Sequence, residues 1–507
     1  MKIQSLLYGA LLLFAVGCQS ETDGEEEAGE SEPQSSVDST PDEPVDNELL
    51  QALRTEVEER GLQAIEEQPQ DEALVELGHN LFFDPILSGP KDANCAFCHQ
   101  MDEATADEFP LSAGTASVRD ENGDRRPGPQ HRFTPRISPE LFNRGHEDWR
   151  TMFWDTRVQL LDDGRVAFFD TSYAKIDDLH YRIMPDEADN LLAAQNMLPT
   201  QDRDEMRGFN SSRTIFDEHN ELGSVADHSL EGTWNRLRDR ILAIDEYREL
   251  LQAAYPEKDI DEDLHWAHAT NGLAAFIIDS FTLTESPWDQ FLRGDDQALT
   301  AAQIRGGNLF YGEAGCASCH GGDLFTDQEI YNWAVPPMTR GPEPFDNMDL
   351  GAAHRSHVGL DQAFHFRTPP LRNVELTGPY MHNGSLGTLE DVIRHKMDPV
   401  EGLWNYEPTH LGPVFRRQVH TGEEQLARVE KTLSPQALLT PELSDDQIDD
   451  LIAFMESLTD PRAADLTHLQ RDEVASGLPI PDPKARPLRD SMNKFPSGNP
   501  MNFAMAG

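Results

Sequence analysis

Basic residues are scarce in this chain. Its 507 residues carry 41 Lys and Arg against 92 Asp and Glu, a formal net charge of -51. That balance argues against nucleic acid and anionic lipid headgroups as partners, since both present dense negative charge. It leaves room for steering of a basic protein partner, although a solvated acidic surface is the blander reading. Cysteine is scarcer still: five residues, four of them in two short motifs and the fifth at Cys18. None is left over for a structural disulfide. The apolar stretch Leu6–Val16 is too short to span a membrane as a helix. Strand signals are thin throughout.

What is present is one motif, twice. Cys95-Ala96-Phe97-Cys98-His99 recurs as Cys316-Ala317-Ser318-Cys319-His320. C-x-x-C-H is the attachment signature of c-type haem. Two thiols add across the vinyl groups of one porphyrin, so they must sit about one turn apart. The next residue then offers its imidazole to the iron as proximal ligand. A thioredoxin-like redox pair needs no histidine directly after it. A zinc site needs partner ligands at short spacing, and no further cysteine lies nearby. Two copies therefore point to two covalently bound haem c groups, held by Cys95, Cys98, Cys316 and Cys319, with His99 and His320 on the irons.

Residues 1–17 have the form of a secretory signal, with Lys2 ahead of the apolar run. The run ends Ala15-Val16-Gly17-Cys18, similar to a bacterial lipobox, so Cys18 is expected to carry a lipid anchor to the membrane. Export suits c-type haem, which is attached outside the cytoplasm, and the expected location is periplasmic. Residues 18–48 are rich in Glu, Asp, Ser and Pro, with no Lys or Arg between Lys2 and Arg54, and read as a disordered acidic tether.

Helical periodicity begins near residue 49. Leu49, Leu50, Leu53 and Val57 share one face, as do Leu74, Leu77, Leu81 and Phe82. The approach to the first motif, Gly78-His79-Asn80-Leu81-Phe82-Phe83, is echoed before the second by Gly306-Gly307-Asn308-Leu309-Phe310-Tyr311. Phe133-Thr134-Pro135 is echoed by Arg367-Thr368-Pro369. The chain thus holds two diverged copies of one helical unit. The expected fold is all-α: two cytochrome-c-like haem domains, the first with a long inserted helical region at about 157–290. Trp234, Leu237, Ile241 and Leu242 mark one helix there, and Trp266 to Phe281 another. The boundaries read 49–290, 291–460 and an irregular Pro-rich tail at 461–507. Ser444 is expected to cap the helix bearing Ile448, Leu451, Ile452, Phe454 and Met455.

Over about 72–460 these residues resemble the bacterial di-haem cytochrome c peroxidases, the family that includes the MauG-type enzymes. The likeness rests on Leu81-Phe82-Phe83-Asp84-Pro85 with Leu87-Ser88, and on Phe153-Trp154-Asp155-Thr156-Arg157, where Thr156 replaces the usual Gly. Glu205-Met206-Arg207-Gly208, Leu324-Phe325-Thr326-Asp327, Leu371-Arg372-Asn373 and Gly378-Pro379-Tyr380-Met381-His382-Asn383-Gly384 extend it. The long di-haem oxidoreductase subgroup fits best.

The resemblance implies roles. The first haem would be the peroxidatic centre, with Glu205 as acid–base residue and Gln195 as its polar companion. Trp154 would lie between the haems, and the second haem would take in electrons. Its sixth ligand would come from Leu389–Met397. Counting from Leu389 reaches Lys396; a slip of one residue gives Met397, which is preferred, with His395 next. No Tyr stands there, which weakens a MauG-like reading. No His occurs between His99 and His131, so the first iron is expected to lack a distal cap unless His131 supplies it. Phe133 stands where many members place a calcium-binding Asn. The implied activity is reduction of hydrogen peroxide to water with electrons from a small cytochrome c or cupredoxin. The alternatives are a MauG-like oxidase acting on Trp or Tyr of a partner protein, and a non-catalytic electron carrier.

Overall fold

Two helix crossings of one design organise the chain. The computed structural model describes residues 44–119, 125–169, 181–338, 348–355, 358–439 and 442–484, all within the unit Glu43–Gly507. The expected leader, Cys18, nearly all of the tether and the tail beyond residue 484 lie outside the described residues.

In chain order the helices are α1 (Asn47–Arg60), α2 (Glu72–Phe83), α3 (Leu191–Asn196), α4 (Leu230–Leu242), α5 (Asp245–Ala254), α6 (Trp266–Phe281) and α7 (Pro287–Leu292). Then follow α8 (Ala301–Tyr311), α9 (Leu389–Met397), α10 (Pro399–Trp404), α11 (Pro413–Arg416), α12 (Glu423–Lys431) and α13 (Asp445–Glu456). Their starts follow side-chain chemistry. Asp71 caps α2 by accepting from Ala73 N and Leu74 N at 2.9 and 3.1 Å. Thr300 and Ser444 cap α8 and α13 in reciprocal boxes with Gln303 and Gln447.

Helix α2 crosses α6, and α8 crosses α13. Each crossing is closest at a glycine. A Cβ on Gly78 would lie 1.8 Å from Gly272 O, and one on Gly306 would lie 1.8 Å from Asp450 O. The asparagine two residues on behaves alike in both copies. Asn80 and Asn308 each bond the carbonyl four residues back, Glu76 O at 3.0 Å and Ile304 O at 2.8 Å. The internal repeat is therefore one of packing as well as of sequence.

Two main apolar cores follow. The first gathers Leu77, Leu81, Phe82, Trp266, Phe276 and Phe281 with side chains from α3 to α5. The second gathers Trp288, Phe291, Phe310, Phe325, Leu451 and Phe454. The ends of the chain cross over between them. Leu50 and Leu53 of α1 are buried in the second core, and Asn308 Nδ2 donates to Leu49 O at 2.9 Å. Ala463, Leu466 and Val474 of the tail are buried in the first, where Ser476 Oγ donates to Asp84 at 2.7 Å.

The fold is mostly helical, but three small antiparallel sheets depart from the all-α expectation, two of them single pairs, Val118–Arg119 with Arg125–Arg126 and Ile330–Tyr331 with Phe366–Arg367. The third has four very short strands, Thr151–Met152 just before the insertion and Val158–Leu160, Val166–Phe168 and Arg182–Ile183 in its first part. The turn Asp162-Asp163-Gly164, with Gly164 at φ 83, joins its central pair. The strands are too short for period-two alternation to register, which is why helical segments alone stood out.

Candidate active site and haem cradles

The two C-x-x-C-H motifs fold alike. Each begins with a single 3-10 turn, Cys95–Phe97 and Cys316–Ser318. His99 N donates to Cys95 O at 3.0 Å, and His320 N donates to Cys316 O at 2.9 Å. Each imidazole is fixed through Nδ1, against Thr105 O and Phe325 O, both at 3.0 Å. That turns Nε2 of each ring towards a metal position, the usual arrangement of a ligating histidine, with Ser138 Oγ 3.4 Å from Nε2 of His99. Burial holds both rings neutral, lowering each to about 4.

These donors fit covalent haem. All four thiols are unpaired, and burial pushes Cys95 and Cys98 up to about 12. Buried guanidinium nitrogens without partners, Arg367 Nη1 and Arg372 Nη2, are donors of the kind a propionate accepts.

Glu205 lies in a π-helical turn, Arg203–Arg207, ended by Gly208 at φ 69. Three neighbours fix the turn. Glu205 N donates to Asp202 Oδ1 at 2.9 Å, Thr115 N donates to Glu205 O at 2.8 Å, and Gly89 N donates to Met206 O at 2.8 Å. A side chain on Gly114 would collide with Glu205 O, at 2.2 Å. The loops at 88–90 and 112–115, either side of the first haem motif, therefore hold the backbone that carries this carboxylate. Its charge reaches both Cys95 and Cys98. Burial first, and Asp202 second, raise the Glu205 carboxyl to about 8, against a smaller opposing pull from Arg157. Among the described residues its carboxylate oxygens meet no hydrogen-bond donor.

Gln195 sits in the last turn of α3, half-buried, and a short 3-10 turn, Pro199–Gln201, leads on to Glu205. His131 packs edge-on to Phe209 at 5.0 Å and lies 3.7 Å from Asp204, the neighbour of Glu205. His131, the candidate distal cap of the first iron, thus lies beside the Glu205 turn.

Trp154 joins the two halves of the chain. Its Nε1 donates to Ile137 O at 3.2 Å, and its carbonyl accepts from Arg367 N at 2.8 Å. Beside it Asp155 is fully buried against Arg136 at 2.8 Å and Arg157 at 3.1 Å. Arg136 also pairs with Asp349 at 2.6 Å. Burial opposes ionisation of Asp155, but the two guanidinia outweigh it and hold the carboxyl at about 2. Sequence reasoning missed Arg136 and Asp349; only the Asp155 motif pointed there. Thr156, at the position where the resemblance expects Gly, adopts a left-handed φ of 55.

At the second motif, α9 ends with three candidates. His395 is buried, with Nε2 2.9 Å from Trp333 O. Lys396 sets its Nζ 3.7 Å from the Trp333 ring centroid. Its charge reaches Cys316, Cys319 and His320. Met397 is half-buried at the helix end. His382 stacks on Phe366 with centroids 3.4 Å apart. Phe133 is buried among Leu111, Ala113, Met338, Leu411 and Phe415.

A family model described as di-haem cytochrome c peroxidase matches residues 72–297. The chain is 27% identical over 353 residues to cytochrome-c peroxidase IdrP2 of Denitromonas iodatirespirans, covering 66% of this chain and 76% of the relative. It is 28% identical over 323 residues to methylamine utilization protein MauG of Methylorubrum extorquens, covering 63% and 67%. It is 27% identical over 330 residues to cytochrome c551 peroxidase of Pseudomonas aeruginosa, covering 64% and 72%. Over these residues the chain is similar to di-haem cytochrome c peroxidases and to MauG. In fold it is similar to a solved MauG-like protein associated with microbial copper homeostasis. There the TM-score is 0.51 and the identity 24%, over 79% of this chain and 93% of that one.

Proposed function

We propose that this chain is a di-haem peroxidase that reduces hydrogen peroxide to water. The balance is one peroxide, two electrons and two protons to two waters. The electrons come one at a time from a small cytochrome c or cupredoxin. The observation that carries this reading is Glu205, a carboxylate with no donor among the described residues, whose charge reaches Cys95 and Cys98 and which is raised to about 8.

Haem held at Cys95, Cys98 and His99 supplies, when bound, the iron that takes peroxide and passes it electrons. The protein's own part is proton handling. A Glu205 oxygen accepts the proton of the near peroxide oxygen and returns it to the far one, which leaves as water. A raised carboxyl pKa suits a group that must both take and give a proton near neutral pH. Gln195 would orient the peroxide. Trp154, bonded to both halves of the chain, would carry electrons from the second haem at Cys316, Cys319 and His320. Residues 49–290 would form the peroxidatic half and 291–460 the electron-accepting half.

Such enzymes work outside the cytoplasm, and we assign this chain to the periplasm, anchored by lipid at Cys18. Among the described residues no helix is long and apolar enough to cross a membrane.

The test is peroxide turnover with reduced cytochrome c by the two-haem protein and by Glu205→Gln. A loss of about 10²–10⁴-fold with both haems retained is expected. Undiminished turnover in the variant would remove Glu205 from the mechanism. Negligible turnover by the parent, with oxidation of Trp or Tyr on a partner protein, would favour the MauG-like reading. Two six-coordinate haems and no turnover would make the chain a carrier.

A further inference from the structure

The last turn of α9 sorts its three candidate ligands by direction. Leu389 is buried in the second core and Ile393 packs against that core, alongside Cys316, Ala317 and Phe325. Lys396 follows at the seventh position from Leu389, two turns on, and so continues the same face. His395 and Met397 are rotated about 100° to either side of it.

His395 is already committed. Its Nε2 meets Trp333 O at 2.9 Å. Its ring fills the space that Gly402 leaves open, where a Cβ would lie 2.3 Å from Nδ1. Lys396 is not committed. Among the described residues it has no hydrogen bond and no carboxylate within ion-pair distance. The nearby acid, Asp327, accepts instead from Tyr331 Oη at 2.9 Å. What the amine meets is the face of Trp333 at 3.7 Å, and its charge registers on both thiols and the imidazole of the second motif.

A half-buried lysine set against an aromatic face without a counter-ion is costly as an ammonium. It is not costly as a neutral amine whose lone pair is given to a metal. We propose that Lys396 Nζ is the distal iron ligand of the haem held by Cys316, Cys319 and His320. This rests on reading the second C-x-x-C-H as a haem site, and not on peroxide chemistry at the first. An amine nitrogen favours ferric iron more than a thioether does, so this haem would have a lower potential than a Met-ligated one.

The experiment uses the full two-haem protein and measures electron paramagnetic resonance, near-infrared magnetic circular dichroism and the potential of each haem. Haem stoichiometry is checked first by pyridine haemochrome. The parent is expected to show one low-spin haem with amine–imidazole character and no thioether-to-iron charge-transfer band. Lys396→Ala should abolish that signal and leave two haems per chain. Lys396→Met should introduce the thioether band and raise the potential of the second haem. Lys396→Arg, which keeps the charge but offers no lone pair, should not restore the parent spectrum. Met397→Ala should leave it unchanged.

A thioether band in the parent, lost in Met397→Ala, would overturn the proposal in favour of Met397. An unchanged second haem in Lys396→Ala would overturn it too and leave Lys396 as a charge beside the porphyrin. A parent carrying one haem would instead overturn the reading on which the proposal rests.

Discussion

Gly78 and Gly306 occupy the same place in two copies of one helix crossing. At either, a Cβ would sit 1.8 Å from a backbone oxygen, of Gly272 or of Asp450. A backbone atom cannot step aside as the end of a flexible side chain can. Gly78→Ala and Gly306→Ala are therefore each expected to cost at least about 1–3 kcal/mol, the range for overpacking a tight core. Urea denaturation of the two variants checks this. Equal, negligible effects would mean that the crossings are looser than they look.

The Glu205 carboxyl is raised to about 8, chiefly by burial. As the first acceptor of a peroxide proton it must begin ionised, and the ionised fraction grows as pH rises towards that value. Turnover at low peroxide should climb about tenfold per pH unit on the acid side and level off above about 8. In Glu205→Gln the climb should vanish along with most of the rate. A profile unchanged in shape would assign the titration to another group.

Arg136 neutralises two buried carboxylates, Asp155 at 2.8 Å and Asp349 at 2.6 Å. Arg136→Met leaves Asp155 with Arg157 at 3.1 Å and Asp349 with His354 at 3.3 Å, and should destabilise the protein by up to about 3–5 kcal/mol. The sign with pH follows from the depressed Asp155. Its stabilising contribution is complete above the unfolded value of 3.8 and is lost as pH falls through about 2. The parent should lose stability across that window, and Arg136→Met should lose less. Denaturant midpoints at several acidic pH values decide the matter.

Thr156 pays for its left-handed φ of 55, a conformation that suits Gly far better than a β-branched residue. Thr156→Gly should be neutral or stabilising by up to about 1 kcal/mol, despite loss of a buried side chain. A clear destabilisation by thermal melting would show that the Thr156 contacts outweigh the strain.

Much of this was legible in the sequence. The duplicated C-x-x-C-H and the glycine-led approaches to it carried the repeat, because covalent attachment and close helix crossing both demand fixed residues at fixed spacing. The Ser444 cap was readable for the same reason. The sheet at 151–183 was not, since two- and three-residue strands leave no periodicity. Nor was the network of Arg136, Asp155 and Asp349, whose members lie up to 213 residues apart. At the end of α9, spacing alone left Lys396, Met397 and His395 in contention. The helix's buried face and the bond from His395 to Trp333 O separate them by direction, which a linear string does not carry.

The exchange of chain ends between the cores bears on assembly. Helix α1, made early, has its apolar partners hundreds of residues later. The early-made first core is sealed by Leu466 and Val474, made near the end. Neither half can bury all its greasy surface on an emerging polypeptide. Both cores therefore close only when nearly the whole length is available.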